Sequence, residues 1–492
     1  MNANMNANTL SVDALIIGAG QAAPALAVAL ASRGESVILV EAKDLGGTCV
    51  NNGCTPTKTL RKSARVAHMV RRAAEFGVVT GGVSVDFAVA MDRMHERVNA
   101  SRKGLEGWLA GTPNVTLLRG WCRLAGQVEK GSESVFAATV DSESGTEHII
   151  AKRVYLNTGT RPFMPPIEGL AAHDPRIVTN EGLLQLRECP QHLAILGGSY
   201  IGLEFAQIFR RLGAQVTVIE PSQRVAMRED ERVTNDITGF LVEEGVQILT
   251  NTTLAKVQAD DQNRALNLQL QLQTKNADGS VEAHVLGASH LLVATGRLPS
   301  TNDLGLASIG LAVDARGYIA TNGQLETAVP NVWALGDINA RGAFTHTSYH
   351  DFEIVRDNLN GAMPLRSADD RITIYAMFTD PPLGRVGLNR TSAKAESDKT
   401  GRAFLIAEHA MRYVSRAKEE SETHGVIQFI VDAKTECFVG ATVLGINGDE
   451  IIQVVSNYMA TGASYKLMRN CLPAHPTVTE FFPTILDKLK PL

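Results

Sequence analysis

The sequence predicts an α/β fold: two Rossmann-like nucleotide-binding domains plus an α+β C-terminal domain. The chain has 492 residues, more than one hydrophobic core usually serves, so two to four domains are expected. The composition, 44% hydrophobic and 20% charged, is typical of an ordinary α/β protein. A strand–turn–helix–strand pattern also occurs twice along the chain.

The first copy begins with a continuous apolar strand at residues 14–17, as expected of a strand buried on both faces. A G-x-G-x-x-A turn, a helix and a second strand ending at Glu41 follow. In this fingerprint Gly18 permits a tight turn, Gly20 lets the backbone approach a pyrophosphate, and Ala23 lets helix and strand pack closely. The helix N-terminus attracts phosphates. We expect Glu41 to accept hydrogen bonds from a ribose.

The second copy has a strand at residues 192–196, a glycine-rich turn, a helix and a strand ending at Glu220. The glycines expected to contact the nucleotide are Gly197, Gly198 and Gly202. The first glycine and the terminal acid are 23 positions apart in both copies, which indicates two versions of one unit. Ser199 stands where the middle glycine is expected, a small departure from the pattern.

The terminal acid of the second copy bears on which nicotinamide nucleotide binds. Glu220 favours the 2′-hydroxyl of NADH and repels a 2′-phosphate. Arg224 and Arg228 follow closely and could hold that phosphate. The sequence therefore favours NADH and leaves NADPH open.

Charge and hydropathy exclude several partner classes. Lys and Arg number 47 against 52 Asp and Glu, with no basic stripe that would indicate nucleic acid. No apolar run approaches the ~20 residues that span a bilayer. The polar N-terminus lacks the order of a signal peptide. We expect a disordered tail at residues 1–11, a cytoplasmic location, and neither nucleic acid nor membrane as a partner.

Of six cysteines, only Cys49 and Cys54 are close in sequence. A cytosolic chain keeps its thiols reduced, so a tight pair indicates redox catalysis or metal binding. A zinc site needs two more ligands, which no second nearby Cys/His pair supplies, so no metal is expected. Pro56 suits the first turn of a helix. That helix would place Cys54 near its positive end and favour a thiolate.

The segment GGTCVNNGCTPTK at residues 46–58 resembles the class I pyridine nucleotide-disulfide oxidoreductases. This family includes glutathione reductase, dihydrolipoyl dehydrogenase, mercuric reductase and the reactive-chlorine-resistance reductases. The resemblance extends from residue 13 to about residue 490. It implies that FAD binds the first copy and NADH or NADPH the second. Cys49 would be the interchange thiol facing substrate, and Cys54 the charge-transfer thiol facing the flavin.

The resemblance also implies a domain order. The expected segments are an FAD-binding domain at 12–165 and 297–365, an NAD(P)-binding domain at 166–296 between its two parts, and a dimerisation domain at 366–492. Two similar turns, LNTGTRP at 156–162 and VATGRLP at 293–299, would mark the crossings between the first two domains.

Further motifs supply expected cofactor contacts. ALGD at residues 334–337 resembles the second FAD motif of the family, in which Asp337 would bind the ribityl hydroxyls. The other implied contacts are Gly47, Thr48, Lys58, Thr158, Gly159, Gly296, Arg297 and Gly336. Glu204 would pair with Lys58 near flavin N5. Tyr200 would be a gate that nicotinamide displaces, although core packing explains it almost as well.

The C-terminal segment AHPTVTE at 474–480 resembles the H-P-T-x-x-E of glutathione reductase and dihydrolipoyl dehydrogenase. His475 would shuttle the thiol proton, and Glu480 would orient its imidazole. In the family this histidine reaches the partner's disulfide, so a homodimer is implied.

The electron acceptor is the least determined feature. The segments at 341–349 and 380–387 look most like mercuric reductase and its relatives, and 54–60 also resembles the reactive-chlorine-resistance group. Mercury is passed between thiolates, yet this chain ends without the extra cysteine pair, and it keeps His475. The first reading is an NAD(P)H-dependent reductase of a disulfide, of a small oxidised sulfur species such as hypothiocyanous acid, or of a thiophilic metal ion. The second is dihydrolipoyl dehydrogenase, and the third is a non-catalytic flavin-binding signalling protein.

Overall fold

A computed structural model describes residues 9–130, 133–170, 173–260 and 265–492. In chain order the strands are β1 (Thr9–Ile17), β2 (Val37–Glu41), β3 (Val115–Arg119), β4 (Trp121–Lys130), β5 (Glu133–Ser142), β6 (Gly145–Leu156), β7 (Thr160–Pro162), β8 (Ile177–Val178), β9 (His192–Leu196), β10 (Gln215–Ile219), β11 (Val246–Leu249), β12 (Thr252–Ala259), β13 (Leu268–Lys275), β14 (Val281–Ala288), β15 (His290–Val293), β16 (Arg297–Pro299), β17 (Val332–Ala334), β18 (Ile374–Met377), β19 (Leu383–Gly387), β20 (Phe404–Ala410), β21 (Val426–Asp432), β22 (Phe438–Leu444) and β23 (Lys490–Pro491).

The α-helices follow in the same order. They are α1 (Ala23–Ser32), α2 (Gly47–Asn52), α3 (Cys54–Arg71), α4 (Phe87–Ala110), α5 (Asn180–Leu183), α6 (Tyr200–Leu212), α7 (Glu231–Glu243), α8 (Thr345–Leu359), α9 (Arg390–Thr400), α10 (Ser415–Glu419), α11 (Gly448–Thr461), α12 (Tyr465–Asn470) and α13 (Phe482–Leu486). The chain divides into two compact units, the first made of residues 1–59, 91–163 and 296–371, and the second of residues 60–90, 164–295 and 372–492.

The first unit is built on a sheet with the strand order β3-β2-β1-β6-β5-β4. Strands β3, β2, β1 and β6 are parallel, whereas β5 and β4 continue antiparallel. The C-terminal part of β6 also pairs in parallel with β17. Helices α1 and α8 cover one face of the sheet, and β4 and β5 contribute to the core on the other. Burial on both faces explains the uninterrupted apolar run in β1.

The second unit contains a parallel sheet, β11-β10-β9-β15-β8, which is the second predicted Rossmann-like fold. A three-stranded antiparallel sheet, β12-β13-β14, adjoins it in sequence. The C-terminal part forms a six-stranded antiparallel sheet, β18-β19-β22-β21-β20-β23, whose core includes residues of α11, α12 and α13. The predicted fold class, with two Rossmann-like folds and an α+β C-terminal domain, is confirmed.

Part of the predicted N-terminal tail belongs to a strand. Residues 1–8 of the predicted tail lie outside the described residues, but residues 9–11 belong to β1, because they pair with residues 148–150 of β6. The first compact unit ends at Arg371, and the domain boundary expected after residue 365 stays a prediction. The Arg371 guanidinium binds the carboxylate of Asp351, which holds this segment to the first unit.

Residues 60–90, predicted to belong to the FAD-binding domain, group with the second unit. Two arginines of α3 explain why. Arg65 forms an ion pair with Asp380, and Arg71 Nη1 donates to the carbonyl of Arg211 at 2.7 Å. The crossings predicted after residues 165 and 296 correspond to unit boundaries after residues 163 and 295.

Candidate active site

Three glycines of the first unit form a cradle without side chains. Gly18 has φ +91°, and a Cβ there would lie 2.6 Å from the carbonyl oxygen of Asn157. A Cβ on Gly20 would lie 2.7 Å from Asn157 Oδ1, and one on Gly47 2.9 Å from the Gly20 Cα. Asn157 Oδ1 is buried and has no hydrogen-bond partner among the described residues. These features fit the close approach of a dinucleotide pyrophosphate at the N-terminus of α1, whose first residue is Ala23.

The acids that end β2 and β10 hold the two glycine-rich loops. Glu41 Oε2 accepts from the amide of Ala19 at 2.7 Å, and Glu220 Oε2 accepts from the amide of Gly198 at 2.7 Å. In each case the other carboxylate oxygen accepts a hydrogen bond, at 2.8 Å, from the backbone amide of the residue two positions after the acid. Both acids therefore organise their loops, in addition to the ribose contact expected for them.

The second glycine-rich loop is as tight as the first. Gly197 has φ +113°, and a Cβ there would lie 2.5 Å from the carbonyl oxygen of Ala294. A Cβ on Gly202 would lie 2.1 Å from the Gly197 carbonyl oxygen. The backbone requires glycine at both positions. Ser199, the departure from the motif, directly precedes α6 in extended conformation.

The last residues of the two similar turns predicted to mark the crossings are neighbours in the first unit. Strands β7 and β16, which are the last three residues of the two motifs, pair antiparallel. Thr158 Oγ1 donates to the carbonyl of Ser300 at 2.8 Å, and the Ser300 amide donates to the carbonyl of Gly159 at 2.9 Å. The Gly296 carbonyl accepts from the Phe163 amide at 3.0 Å.

Asp337 is linked to the redox segment by a short chain of polar contacts. Thr160 Oγ1 donates to Asp337 Oδ2 at 3.1 Å, and Arg297 donates both to Thr160 Oγ1, at 2.8 Å, and to Thr48 Oγ1, at 3.1 Å. Burial raises the pKa of the Asp337 carboxyl, and the nearby Arg297 charge opposes that shift. A half-buried carboxylate of this kind suits the binding of polyol hydroxyls.

Asp351, which shapes the turn before Asp337, was not predicted from the sequence. It is 1% exposed, and its Oδ2 accepts from the Gly336 amide at 2.7 Å and from Asn339 Nδ2 at 3.0 Å. Gly336 has φ +75°, so the turn depends on both glycine and this buried acceptor. A lone aspartate inside a helical pattern gives no local signal for such a role.

The two predicted redox cysteines lie on consecutive helices. Cys49 is in the short helix α2 and is half-buried, whereas Cys54 is the first residue of α3 and is exposed. Both are present as thiols in the structure. Cys54 Sγ lies 3.2 Å from Thr345 Oγ1, at the first residue of α8. Helix N-termini stabilise nearby negative charge, so the position of Cys54 favours a thiolate.

The neighbouring groups act on the pKa of Cys49 in both directions. The pKa of Cys49 is raised, first by its hydrogen bond to Cys54, then by burial and by the charge of Cys54. Thr345 and the Lys58 charge act in the opposite direction. The roles that the resemblance implies for the two cysteines stay predictions. Thr345 is a second residue that the sequence analysis missed.

The predicted Lys58–Glu204 pair stays a prediction. Lys58 lies one helical turn beyond Cys54 in α3, and its charge acts on the Cys49 thiol. Glu204 is buried in α6, and its Oε1 accepts from the amide of Phe378 at 2.8 Å.

His475 and Glu480 are in direct contact. His475 Nδ1 lies 2.8 Å from Glu480 Oε2. The His475 side chain is 76% exposed, whereas that of Glu480 is 14% exposed. A carboxylate bound to Nδ1 fixes the imidazole tautomer and leaves Nε2 to exchange a proton.

Tyr200, the predicted gate, is the first residue of α6 and directly follows the second glycine-rich loop. Its hydroxyl donates to the carboxylate of Glu229, and its ring centroid lies 5.5 Å from that of Tyr375.

Comparison with known proteins gives consistent results over the whole chain. The profile of the family "Pyridine nucleotide-disulphide oxidoreductase" matches residues 12–351, and that of its dimerisation domain matches residues 373–485. Among the described residues, no helix has the length and apolar character that crossing a membrane requires.

Several curated proteins are similar from end to end. "Probable pyridine nucleotide-disulfide oxidoreductase RclA" of Escherichia coli is 33% identical over 97% of this chain and 99% of its own length. "Mercuric reductase" of Streptomyces lividans is 30% identical over 95% of this chain and 94% of its own. "Dihydrolipoyl dehydrogenase 3" of Pseudomonas aeruginosa is 30% identical over 96% of each chain.

A solved structure shares the fold. The "Cu(II) complex of HOCl-induced flavoprotein disulfide reductase RclA" from Escherichia coli superposes with a TM-score of 0.84 at 32% sequence identity, covering 97% of this chain and 99% of the other.

Proposed function

This chain belongs to the pyridine nucleotide-disulphide oxidoreductase family, and from that membership we propose that it passes electrons from NAD(P)H through FAD and Cys49–Cys54 to an oxidised substrate. The observation that carries the proposal is the placement of Cys49 and Cys54 on consecutive helices, with Cys54 as the first residue of α3 and its Sγ 3.2 Å from Thr345 Oγ1. Proteins of this family use FAD and NAD(P)H, and the glycine cradles of both Rossmann-like folds fit such dinucleotides.

Bound FAD supplies the two-electron step between nicotinamide and the disulfide. Two electrons and one proton delivered to the Cys49–Cys54 disulfide break its S–S bond and leave a Cys49 thiol and a Cys54 thiolate. The N-terminus of α3 and the Thr345 hydroxyl stabilise the thiolate. The electron pair is thereby held in the reduced sulfur atoms of Cys49 and Cys54, which can undergo thiol–disulfide exchange with a substrate.

The second half of the cycle uses Cys49 as the nucleophile. With a disulfide substrate, a base takes its proton, and the thiolate attacks one substrate sulfur, which breaks the substrate S–S bond and releases the first product thiolate to take the proton back from the base. The Cys54 thiolate then attacks the Cys49 sulfur, the Cys49–Cys54 disulfide re-forms, and the second half of the substrate leaves as a thiolate. His475, held by Glu480, is the proposed base and acid.

For the acceptor we propose a disulfide, a small oxidised sulfur species such as hypothiocyanous acid, or a thiophilic metal ion. The similar RclA is described as an HOCl-induced disulfide reductase that forms a Cu(II) complex, and another relative is a mercuric reductase. These relatives support oxidised sulfur and soft or borderline metal ions as candidates.

An acceptor panel tests the proposal. The FAD-loaded protein is given NADH or NADPH with lipoamide, glutathione disulfide, Hg(II), Cu(II) or hypothiocyanous acid. Nucleotide oxidation is measured for the parent protein and for the Cys49→Ser variant. We expect at least one acceptor to support turnover that the variant loses. If the variant turned over every acceptor as fast as the parent protein, the thiol pair would be rejected as the route of the electrons.

A second candidate is dihydrolipoyl dehydrogenase. The His475–Glu480 contact in an H-P-T-x-x-E segment favours it, because a dithiol substrate needs a proton shuttle. Rapid reduction of NAD by dihydrolipoamide would support this candidate. A non-catalytic signalling role is not favoured, since a binding protein needs neither this pair nor the cysteines.

Assembly and location belong to the same proposal. We propose a homodimer through the region that matches the dimerisation domain, with His475 of one subunit serving the disulfide of the other. The exposure of His475 in a single chain supports such a role. A cytoplasmic location is proposed because a thiol cycle fed by NAD(P)H requires a reducing compartment.

Replacing Glu220 is expected to narrow the preference for NADH over NADPH. The carboxylate repels a 2′-phosphate, so Glu220→Gln should raise kcat/KM for NADPH about tenfold relative to NADH, the ratio of one modest ionic contact. The amide oxygen of glutamine can still accept from the Gly198 amide, whereas its Nε2 group cannot accept from the Ser222 amide, so one of the two loop contacts is retained. Glu220→Ala, which removes the loop contacts too, should also weaken NADH. An unchanged ratio in Glu220→Gln would show that another group selects the nucleotide.

A further inference from the structure

The short helix that carries Cys49 is held by a closed network of side-chain contacts. Asn51, in the same helix, is 8% exposed. Its Nδ2 donates at 2.9 to 3.2 Å to three backbone carbonyls, those of Asp44, Leu45 and Gly47. Arg102, in α4, donates from Nε to Asn51 Oδ1 at 2.5 Å, and its Nη2 lies 2.9 Å from Asp44 Oδ2. We call Asp44, Asn51 and Arg102 the Asn51 network.

The network fixes the orientation of the Asn51 amide. The two ends of an asparagine amide have a similar shape but opposite hydrogen-bonding roles. Carbonyl oxygens surround one end of this amide, and the Arg102 N–H group faces the other. Turning the amide over would place oxygen against oxygen and N–H against N–H. Arg102 therefore permits only the orientation that ties α2 to the turn before it.

The contact with Asn51 matters more than the ion pair with Asp44. The side chains of Arg102 and Asp44 are 33% and 55% exposed, and ion pairs at such exposure contribute little to stability. The oxygen of Asn51 belongs to a buried side chain, and a hydrogen bond from a charged donor is among the stronger kinds. Helix α2 has only six residues and poor helix propensity, so it depends on contacts of this kind.

Helix α4 gives Arg102 a firm support. It has 24 residues, and Leu105 lies one turn after Arg102. A Cβ on Gly46 would lie 3.0 Å from Leu105 Cδ1 and 2.5 Å from Val50 Cγ2. The side chains of Leu105 and Val50 therefore meet over Gly46, which brings α4 directly against the start of α2.

We propose that Arg102 is a positioning residue of the redox pair, which acts through Asn51 to hold α2 so that the Cys49 sulfur stays within reach of Cys54. The inference rests on the proposed function, in which these two cysteines form the redox disulfide. The two thiols are hydrogen-bonded to each other in the structure. The geometry that Arg102 holds is therefore one from which the disulfide can close with little movement.

This role predicts an effect on the equilibrium between dithiol and disulfide. When oxidised dithiothreitol closes the Cys49–Cys54 disulfide, two electrons and two protons pass to the reagent, which becomes reduced dithiothreitol. Closure is favoured in proportion to the effective concentration of one sulfur atom at the other. Loosening α2 lowers that concentration, so the disulfide becomes easier to reduce.

The test equilibrates the FAD-loaded protein with mixtures of reduced and oxidised dithiothreitol, alkylates the free thiols, and quantifies the peptide that contains both cysteines by mass spectrometry. We expect Arg102→Met to shift the equilibrium constant about tenfold toward the dithiol, which raises the midpoint potential by about 30 mV. The matched control, Arg97→Met, makes the same change at an exposed arginine of α4 and should leave the midpoint unchanged. A purely structural role of Arg102 would lower stability without moving this potential.

A second variant keeps the test decisive should Arg102→Met fail to fold. Asp44→Asn retains the carbonyl that accepts from Asn51 but removes the charge that binds Arg102, so it should give a smaller shift in the same direction. An unchanged or lowered midpoint in Arg102→Met, an equal shift in Arg97→Met, or an unchanged midpoint in Asp44→Asn would overturn the positioning role. If the oxidised parent protein formed no Cys49–Cys54 disulfide at all, the proposed function itself would be rejected.

Discussion

Cys54→Ser is expected to abolish the long-wavelength charge-transfer absorbance that NADH induces in the anaerobic protein. The band requires a thiolate beside the flavin, and Cys54 is the first residue of α3, where a helix N-terminus favours a thiolate. Turnover with any acceptor should fall by about 10⁴- to 10⁶-fold, the range seen when a catalytic nucleophile or its base is removed. Titration with NADH, followed by absorbance, measures the first effect.

Cys49→Ser is the matched control, since it changes the neighbouring thiol by the same single atom. It should lose turnover to a similar extent yet retain the charge-transfer band, because Cys54 and its Thr345 contact remain. Retention of the band in Cys54→Ser, or its loss only in Cys49→Ser, would reverse the assigned roles of the two cysteines.

Local sequence patterns were sufficient for the parts of the fold that are fixed by local geometry. Both glycine-rich turns follow apolar strands that are buried on both faces, and the tight contacts of Gly18 and Gly197 explain why only glycine fits there. The helix beginning at Cys54 was predicted from Pro56, and the structure shows it. These features depend on neighbours in sequence, so the pattern alone reveals them.

Elements held by distant or unusual contacts could not be predicted in the same way. Helix α2 has six residues, a glycine and two asparagines among them, and poor helix propensity. It is fixed by Asn51, whose buried Nδ2 donates to the carbonyls of Asp44, Leu45 and Gly47. A side chain that replaces missing backbone contacts in this manner leaves no periodic signal.

The functional residues that the sequence analysis missed share one property. Asp351 and Thr345 each contact a partner that is remote in sequence or lies in another element. A lone acid or hydroxyl in a helix or loop is usually a solvated surface group, so its type alone carries no information about a buried role. Their roles emerged only when burial and partners were known.

His475→Ala is expected to slow the oxidation of the reduced protein by its acceptor by about 10²- to 10⁴-fold, the usual contribution of general acid–base catalysis. Reduction of the flavin by NADH should stay within twofold of the parent, because the histidine acts only after the electrons have reached the thiols. Glu480→Gln should give a smaller loss, since it keeps a hydrogen-bond acceptor beside Nδ1 but removes the charge that stabilises the imidazolium. Stopped-flow measurement of the two half-reactions separates these effects, and equal losses in both would contradict the assignment.

Mixed dimers decide whether His475 serves the disulfide of its own chain or of its partner. In a dimer of one Cys49→Ser subunit and one His475→Ala subunit, action across the interface leaves one of the two sites with both an intact Cys49 and an intact His475. Activity should then recover to about half that of the parent dimer, because each site needs one cysteine pair and one histidine and only one of the two sites has both. If the histidine acted within its own chain, every site of the mixed dimer would lack one of the two groups and no activity would return. The 76% exposure of the His475 side chain in the single chain favours recovery, because a base that completes its own site would be expected to lie covered beside its substrate.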